Sequence, residues 1–241
     1  MTATMRVAVI GASHWHLDLF LPTFLELPDV EVVGVADPDA AVAEQLGTKL
    51  GCAWSASYEG LCEQVRPDFV LALGEHADMP AEAAHLIERG IPFAMEKPCG
   101  TDSAQVHALA GKAAAAGAFA AVPFVWRQSE LLAAMRERFS DDEISYLSFR
   151  WIAGPPTRYL EAGCAWMLDP ARSGGGCTIN LSVHMLDLAR VLFGDPVEVV
   201  AATMSNHAYG LPVEDHSLVT LRGAAGARCT SRPATCCPRR T

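Results

Sequence analysis

The sequence predicts an α/β chain in two parts. A doubly wound domain with a parallel sheet occupies residues 1–124, and an α+β domain with a mostly antiparallel, open sheet follows over 125–231. Three observations carry this reading. Short apolar runs at 6–10, 30–36, 69–73 and 91–95 alternate with helical stretches, as strands buried on both faces of a parallel sheet do. The first run stops at Gly11, at the turn into the next helical stretch. After residue 124 the regular alternation stops, and the strands at 197–204 and 217–221 have no helix between them, which suggests a mostly antiparallel sheet.

Taken in order, residues 6–10 form the first strand and 14–27 a helix in which Pro22 sits early or makes a kink. The strand at 30–36 ends at Asp37-Pro38, and helices at 40–50 and 58–65 precede the strand at 69–73. A helix at 80–89, a strand at 91–95, an Ala-rich helix at 103–116 and a strand at 118–125 complete the first domain. In the second, a helix at 130–139 leads to a half-buried alternating strand at 145–151. A Gly/Pro-containing loop runs to Gly176, and an amphipathic helix at 178–193 is stopped by Gly194. Strands at 197–204 and 217–221 follow, and 232–241 reads as an irregular basic tail.

At about 150 residues per domain, 241 residues allow one or two domains. Half the chain is apolar and 19% is charged, so it folds without staples. The net charge of −10 argues against nucleic acid or an anionic membrane surface as partner. That charge is uneven. The 26 residues from 216 onward carry five arginines and no Asp or Glu, leaving −15 for residues 1–215. Eight cysteines without a CxxC or a paired histidine spacing imply a reduced, cytoplasmic setting rather than a disulfide framework or a zinc site. The N-terminus has no signal-peptide pattern, and the longest apolar stretch, 113–126, is too short to span a bilayer.

The turn Gly11-Ala12-Ser13-His14-Trp15-His16 keeps the first glycine of the dinucleotide fingerprint and places Ser13 and His16 at the other two. Asp37, at the end of the second strand, stands where a carboxylate accepts bonds from the adenosine ribose and repels a 2′-phosphate, favouring NAD over NADP. A strand-ending Asp-Pro turn is the competing account. Glu96-Lys97-Pro98 closes the fourth apolar run, beyond a strand's carboxyl end, where ligands of open α/β sheets bind; a solvated Glu-Lys pair is the alternative. Asn180, His184 and Asp187, spaced i, i+4, i+7, share one face of the 178–193 helix. The His14-Trp15-His16 cluster offers two histidines but no nearby carboxylate, so no metal is expected. His76 either lines the cofactor site or is a solvated loop residue. Cys164 and Cys177 have nothing in the sequence to activate them.

Gly11, Asp37, Glu96-Lys97-Pro98 and Gly174-Gly175-Gly176 followed by His184 resemble the Gfo/Idh/MocA oxidoreductases, relatives of glucose–fructose oxidoreductase and inositol dehydrogenase. The stretch from Trp166 through Asp169 to Gly176 is similar to that family's loop before its long helix. The resemblance spans about residues 5–222 and implies a Rossmann domain followed by a substrate and oligomerisation domain. It implies NAD, with NADP less favoured, bound by Gly11, Ser13, His14, Asp37, His76, Glu96 and Lys97. A sugar, polyol or related small molecule would be held by Lys97, Asp169 and His184. Catalysis falls to Lys97, His184 and Asn180: His184 as acid/base and Lys97 on the reacting oxygen.

Two departures stand out. The family has aspartate where this chain has Asn180, and many relatives have arginine where it has Met167. A non-catalytic dinucleotide- or sugar-binding protein of the same fold is therefore the alternative to a dehydrogenase. Family members are longer and usually oligomeric, so the chain is expected to be C-terminally curtailed and to form homo-oligomers through unfinished sheet edges. The abrupt change of charge and pattern at 228–232 is read as a shifted reading frame, with a genuine basic tail as the alternative.

Overall fold

The computed structural model describes residues 4–140, 143–194 and 196–235. The chain divides into two compact units, one of Met1–Pro123 with Ala162–Trp166, the other of Phe124–Glu161 with Met167–Thr241.

In the first unit, β1 (Met5–Ile10), β2 (Val30–Ala36), β3 (Ala53–Ser55), β4 (Phe69–Ala72), β5 (Phe93–Met95) and β6 (Ala120–Ala121) form one sheet in the order β3-β2-β1-β4-β5-β6. Every pairing is parallel. The connecting helices are α1 (Leu17–Glu26), α2 (Ala40–Leu50), α3 (Tyr58–Val65), α4 (Met79–Glu88) and α5 (Ser103–Ala116). One face of the sheet packs Ile10, Val70 and Ala72 against Leu61, Val65, Met79 and Leu86 of α3 and α4. The other packs Val9 and Leu71 against Leu17 and Leu21 of α1. Burial on both faces is why the strands read as mostly apolar runs. Helix starts follow side-chain chemistry. Asp39, Ser57 and Asp102 each accept a backbone N–H at the start of α2, α3 and α5.

Local differences from the sequence reading have simple causes. The helix expected over 14–27 starts at Leu17, because 11–16 remain a turn, and Pro22 sits inside it. β3 escapes notice because three residues show no periodicity. The strand expected over 118–125 shrinks to Ala120–Ala121, and residues 125–128 form a 3-10 turn.

In the second unit α6 (Glu130–Arg138) precedes β7 (Tyr146–Ile152). The loop predicted up to Gly176 carries two short helices, α7 (Thr157–Glu161) and α8 (Pro170–Ser173). The helix expected over 178–193 is two pieces: a π-helical turn at Thr178–Ser182 and then α9 (Val183–Phe193). β8 (Val197–Ser205), β9 (His216–Gly223) and β10 (Arg228–Ala234) complete a sheet ordered β7-β10-β9-β8. β10 runs parallel to β7 and antiparallel to β9, which is antiparallel to β8. Leu188, Ala189 and Leu192 of α9 cover Leu147, Val219, Leu221 and Cys229.

β10 corrects the reading of the C-terminal segment. Arg228–Ala234 is an inner strand of this sheet, hydrogen-bonded on both sides, so 232–234 are neither irregular nor foreign to the fold. Cys229, Ser231, Pro233 and Ala234 point inward while Arg228 and Arg232 stay exposed. The segment alternates as a strand should, but with small side chains that do not look apolar. Residues 236–241 lie outside the described residues.

Candidate functional site

In the first unit the turn after β1 is shaped by Gly11, at φ +77°. A Cβ there would lie 2.4 Å from the carbonyl oxygen of Leu73 at the end of β4, so a side chain is excluded. Ser13 occupies the second fingerprint position with its side chain exposed. Its backbone N–H donates to Asp37 Oδ2 at 2.7 Å, while Asp37 Oδ1 accepts from Asp39 N–H at 2.9 Å. Asp37 thus lies buried at the end of β2, tied to the turn. Each carboxylate oxygen accepts one backbone bond and keeps a further acceptor site, which suits a ribose diol. The Asp-Pro turn account therefore covers only part of what Asp37 does.

His14, His16, His76, Glu96, Lys97 and Trp166 gather in the same unit. His14 Nδ1 accepts the backbone N–H of His16 at 3.0 Å, so its ring proton belongs on Nε2. His16 Nδ1 lies 3.1 Å from Glu96 Oε1. His76 stacks edge-on to Trp166, and His14 lies against the same indole. His76 is 1% exposed, which removes the solvated-loop alternative. Glu96 and Lys97 follow β5 and are each 3% exposed, so they are not a solvated pair either. Burial works to raise the Glu96 pKa, but the His16 hydrogen bond and the Lys97 charge outweigh it and hold the carboxyl below its ordinary value. Among the described residues no group of three or more His, Cys, Asp or Glu is arranged to hold a metal ion. Cys164 is a buried thiol whose pKa burial pushes up.

Burial lowers the His14 pKa to about 3, helped by the neighbouring His16. Glu82 moves the other way, to about 8, through burial and the charges of Asp78 and Asp37. Stability should follow. Between pH 3 and 6.5 the unfolded chain takes a proton on His14 that the fold refuses, so stability rises with pH at ~1.4 kcal/mol per unit. Between 4.5 and 8 the fold keeps a proton on Glu82 that the unfolded chain has lost, so stability falls with the same slope. The two cancel between 4.5 and 6.5. The urea midpoint of this unit is expected to form a plateau there and to decline on both sides. His14→Asn should flatten the acid limb and Glu82→Gln the alkaline one. Stability that climbs from pH 6.5 to 8 would overturn the assignment.

In the second unit Gly174-Gly175-Gly176 builds the start of the helix that carries Asn180 and His184. Gly174, at φ +77°, ends α8. Glu214 then caps the next segment: its Oε2 accepts Gly176 N–H at 2.8 Å, Oε1 accepts Thr178 N–H at 2.9 Å, and its carbonyl accepts Cys177 N–H at 3.0 Å. Asp169 caps α8 through Ala171 N–H and is exposed.

Asn180 lies in a π-helical turn, Thr178–Ser182, that runs directly into α9, which carries His184 and Asp187; all three side chains are buried. Asn180 is buried and donates from Nδ2 to the Tyr159 hydroxyl at 2.7 Å. Arg158 donates to the same oxygen at 2.8 Å and covers the ring. Asp187 accepts both arms of the Arg127 guanidinium. The His184 ring lies between Phe124 and Trp151, with its Nδ1 shut off from solvent. Burial pushes the Cys177 thiol up to about 12, so it is unactivated. Arg127, Tyr159 and Glu214 had no sequence signal, since each acts through a partner 21 to 60 residues away.

Comparisons with known proteins identify the family. Residues 5–124 match "Oxidoreductase family, NAD-binding Rossmann fold", and 143–240 match "GFO/IDH/MocA C-terminal domain". The second match takes in β10. The scyllo-inositol 2-dehydrogenase (NAD(+)) of Bacillus subtilis is 27% identical over 213 residues, 83% of this chain and 57% of that enzyme. The D-glucoside 3-dehydrogenase of Escherichia coli is 24% identical over 197 residues, 81% of this chain and 56% of that enzyme. The chain therefore spans a little over half the length of these relatives. Among solved structures, GenD2 from gentamicin A biosynthesis, in complex with NAD, superimposes with a TM-score of 0.84 at 25% identity, covering 99% of this chain and 68% of that one. The WlbA dehydrogenase of Bordetella pertussis, in complex with NADH and UDP-GlcNAcA, shares the fold with a TM-score of 0.87 at 20% identity, covering all of this chain and 69% of that one. The two matches, which follow one another along the chain and together cover most of it, place the chain in the GFO/IDH/MocA oxidoreductase family, with an NAD-binding Rossmann domain.

Proposed function

We propose that the protein is an NAD-dependent oxidoreductase acting on a hydroxyl-bearing carbon of a sugar, polyol or related small molecule. Buried Lys97 after β5 is the observation that carries it, since a lysine at 3% exposure is rarely kept there for packing alone. NAD supplies the hydride acceptor when bound. Gly11, Ser13, His14, Asp37, His76 and Glu96 form its setting. The two acceptor sites left on Asp37 support NAD over NADP. Lys97 Nζ holds the substrate oxygen and stabilises the charge that develops on it. His184 takes the hydroxyl proton as the carbon is oxidised. Asp169, exposed at the start of the helix it caps, offers a further acceptor to the substrate hydroxyls.

Titration with NADH and NADPH, followed by a panel of polyols and sugars read by nicotinamide absorbance, tests this. NADH binding with turnover is expected. Preference for NADPH would remove the role of Asp37, and failure to bind either would end the proposal. The six described cysteines are free, which supports a reducing, cytoplasmic setting, and no described helix is long and apolar enough to cross a membrane. The exposed Val199, Val200 and Met204 of edge strand β8 support self-association.

A second reading, a dinucleotide- or sugar-binding protein without turnover, is favoured by one observation. Asn180 is engaged with Tyr159 and brings no charge to the helix of His184. Asn180→Asp separates the two. The new carboxylate would accept the Tyr159 O–H and lie near Arg158, so the fold should accept it. Turnover is expected to rise about tenfold or more, with the pH profile moved to higher pH as imidazolium is stabilised. No gain with any accepted substrate would show that Asn180 is not limiting.

A further inference from the structure

Beyond Asp37 the first unit contains a cavity of about 160 Å3, walled by Ile10, Ala36 and Tyr58 and carrying the carboxyl groups of Asp37, Asp78 and Glu82. No Lys or Arg lines it, so a phosphate finds no partner there. Its volume is about that of five waters, enough for a flat heterocycle. Glu82, on α4, is 5% exposed, and its Oε2 has no hydrogen-bond partner among the described residues. The carboxyl group packs on Gly74, where a Cβ would stand 2.2 Å from Oε1. The Gly74 N–H bonds to it. Asp78 at the start of α4, Asp37 at the end of β2, and Glu59 and Tyr58 on α3 are the charged and titratable groups that face it. A buried carboxyl among three others keeps its proton. It is then a neutral donor with nothing to donate to, an arrangement that costs the fold unless a ligand completes it.

We propose that Glu82 reads the purine base of the dinucleotide, its carboxyl O–H donating to a ring nitrogen of adenine held in this cavity. The inference rests on NAD as cofactor and adds a specificity-determining residue at the end remote from the chemistry. A purine offers what the cavity lacks, an uncharged face with acceptor nitrogens, and its amino group meets the remaining carboxylate acceptors. Once Glu82 ionises, near pH 8, the donor is lost and binding of the base weakens.

Affinities for NADH and for reduced nicotinamide mononucleotide, which lacks the adenosine, test this by tryptophan quenching with the full chain. Glu82→Leu is expected to weaken NADH ~10- to 30-fold and leave the mononucleotide within about twofold. Glu82→Gln, which keeps a donor, is expected to bind NADH within about threefold of the parent. Parent affinity for NADH should fall about tenfold between pH 7 and 9, whereas Glu82→Gln should stay flat. NADH binding unchanged in Glu82→Leu would overturn the proposal and leave the cofactor reading intact. Equal loss of both ligands would overturn it too, assigning Glu82 only to the Gly74 turn. If the parent binds neither NADH nor NADPH, the cofactor reading falls and takes this proposal with it.

Discussion

Under the proposed function, Lys97→Met is expected to lower kcat on an accepted polyol or sugar by ~10²- to 10⁴-fold, while the Kd for NADH stays within about threefold. Methionine keeps most of the lysine stem and removes the charge. That charge reaches the neighbours: it helps hold Glu96 ionised and helps keep His14 neutral. Glu96 retains its contact with His16 in the variant, so the buried carboxyl keeps a partner and the fold should survive. In the proposed chemistry, what disappears is the cation that meets the developing alkoxide, an interaction stronger in the transition state than in the bound alcohol. Turnover suffers more than KM for that reason. Lys97→Arg is not expected to rescue, since a planar guanidinium does not fit a pocket built for an ammonium. A kcat within threefold of the parent in Lys97→Met would remove Lys97 from the chemistry.

Gly176→Ala is expected to destabilise the second unit by ~3–5 kcal/mol and lower its melting temperature by roughly 6–20 °C. The added Cβ would stand 2.0 Å from the carbonyl oxygen of Glu214 and within 3.0 Å of its backbone nitrogen. Both neighbours are main chain, so no rotamer change relieves the overlap. Moving Glu214 away gives up the hydrogen bonds it accepts from Gly176, Cys177 and Thr178. These hold the start of the helix that carries Asn180 and His184, so turnover should fall along with stability. Gly111→Ala is the control. It lies in α5 with nothing within 4 Å of the new Cβ, and should stabilise by ~0.5–1 kcal/mol. Thermal and urea melts of both variants, followed by tryptophan fluorescence, check the pair; a Gly176→Ala melt at parental temperature would refute the steric account.

Much of the first unit could be read directly. The runs at 6–10 and 30–36 are apolar but for Arg6 and Glu31 because β1 and β2 are covered on both faces. Gly11 could be read because its reason is local, a turn with positive φ. The second unit was harder. β10 is inner in its sheet yet made of Cys, Thr, Ser, Arg, Pro and Ala, with no bulky apolar residue to betray it. Its place comes from pairing with β7 and β9, more than 80 residues before it in one case and just before it in the other. The single 178–193 helix read from the sequence, which assumes an even 3.6-residue period throughout, is a π-helical turn joined to α9.

By itself the sequence determined the alternation of elements, the glycine turn, the aspartate that ends β2, the Glu-Lys pair after β5 and the helix bearing His184. Each is set by local periodicity or by one residue's backbone requirement. Only the tertiary structure decided what those residues touch: that Asp37 is bonded to the Ser13 amide, that Asn180 serves Tyr159, that Asp187 holds Arg127, and that Glu82 lies buried with an oxygen left over. A side chain's charge state and partners depend on what packs around it, and the packing brings together segments far apart along the chain.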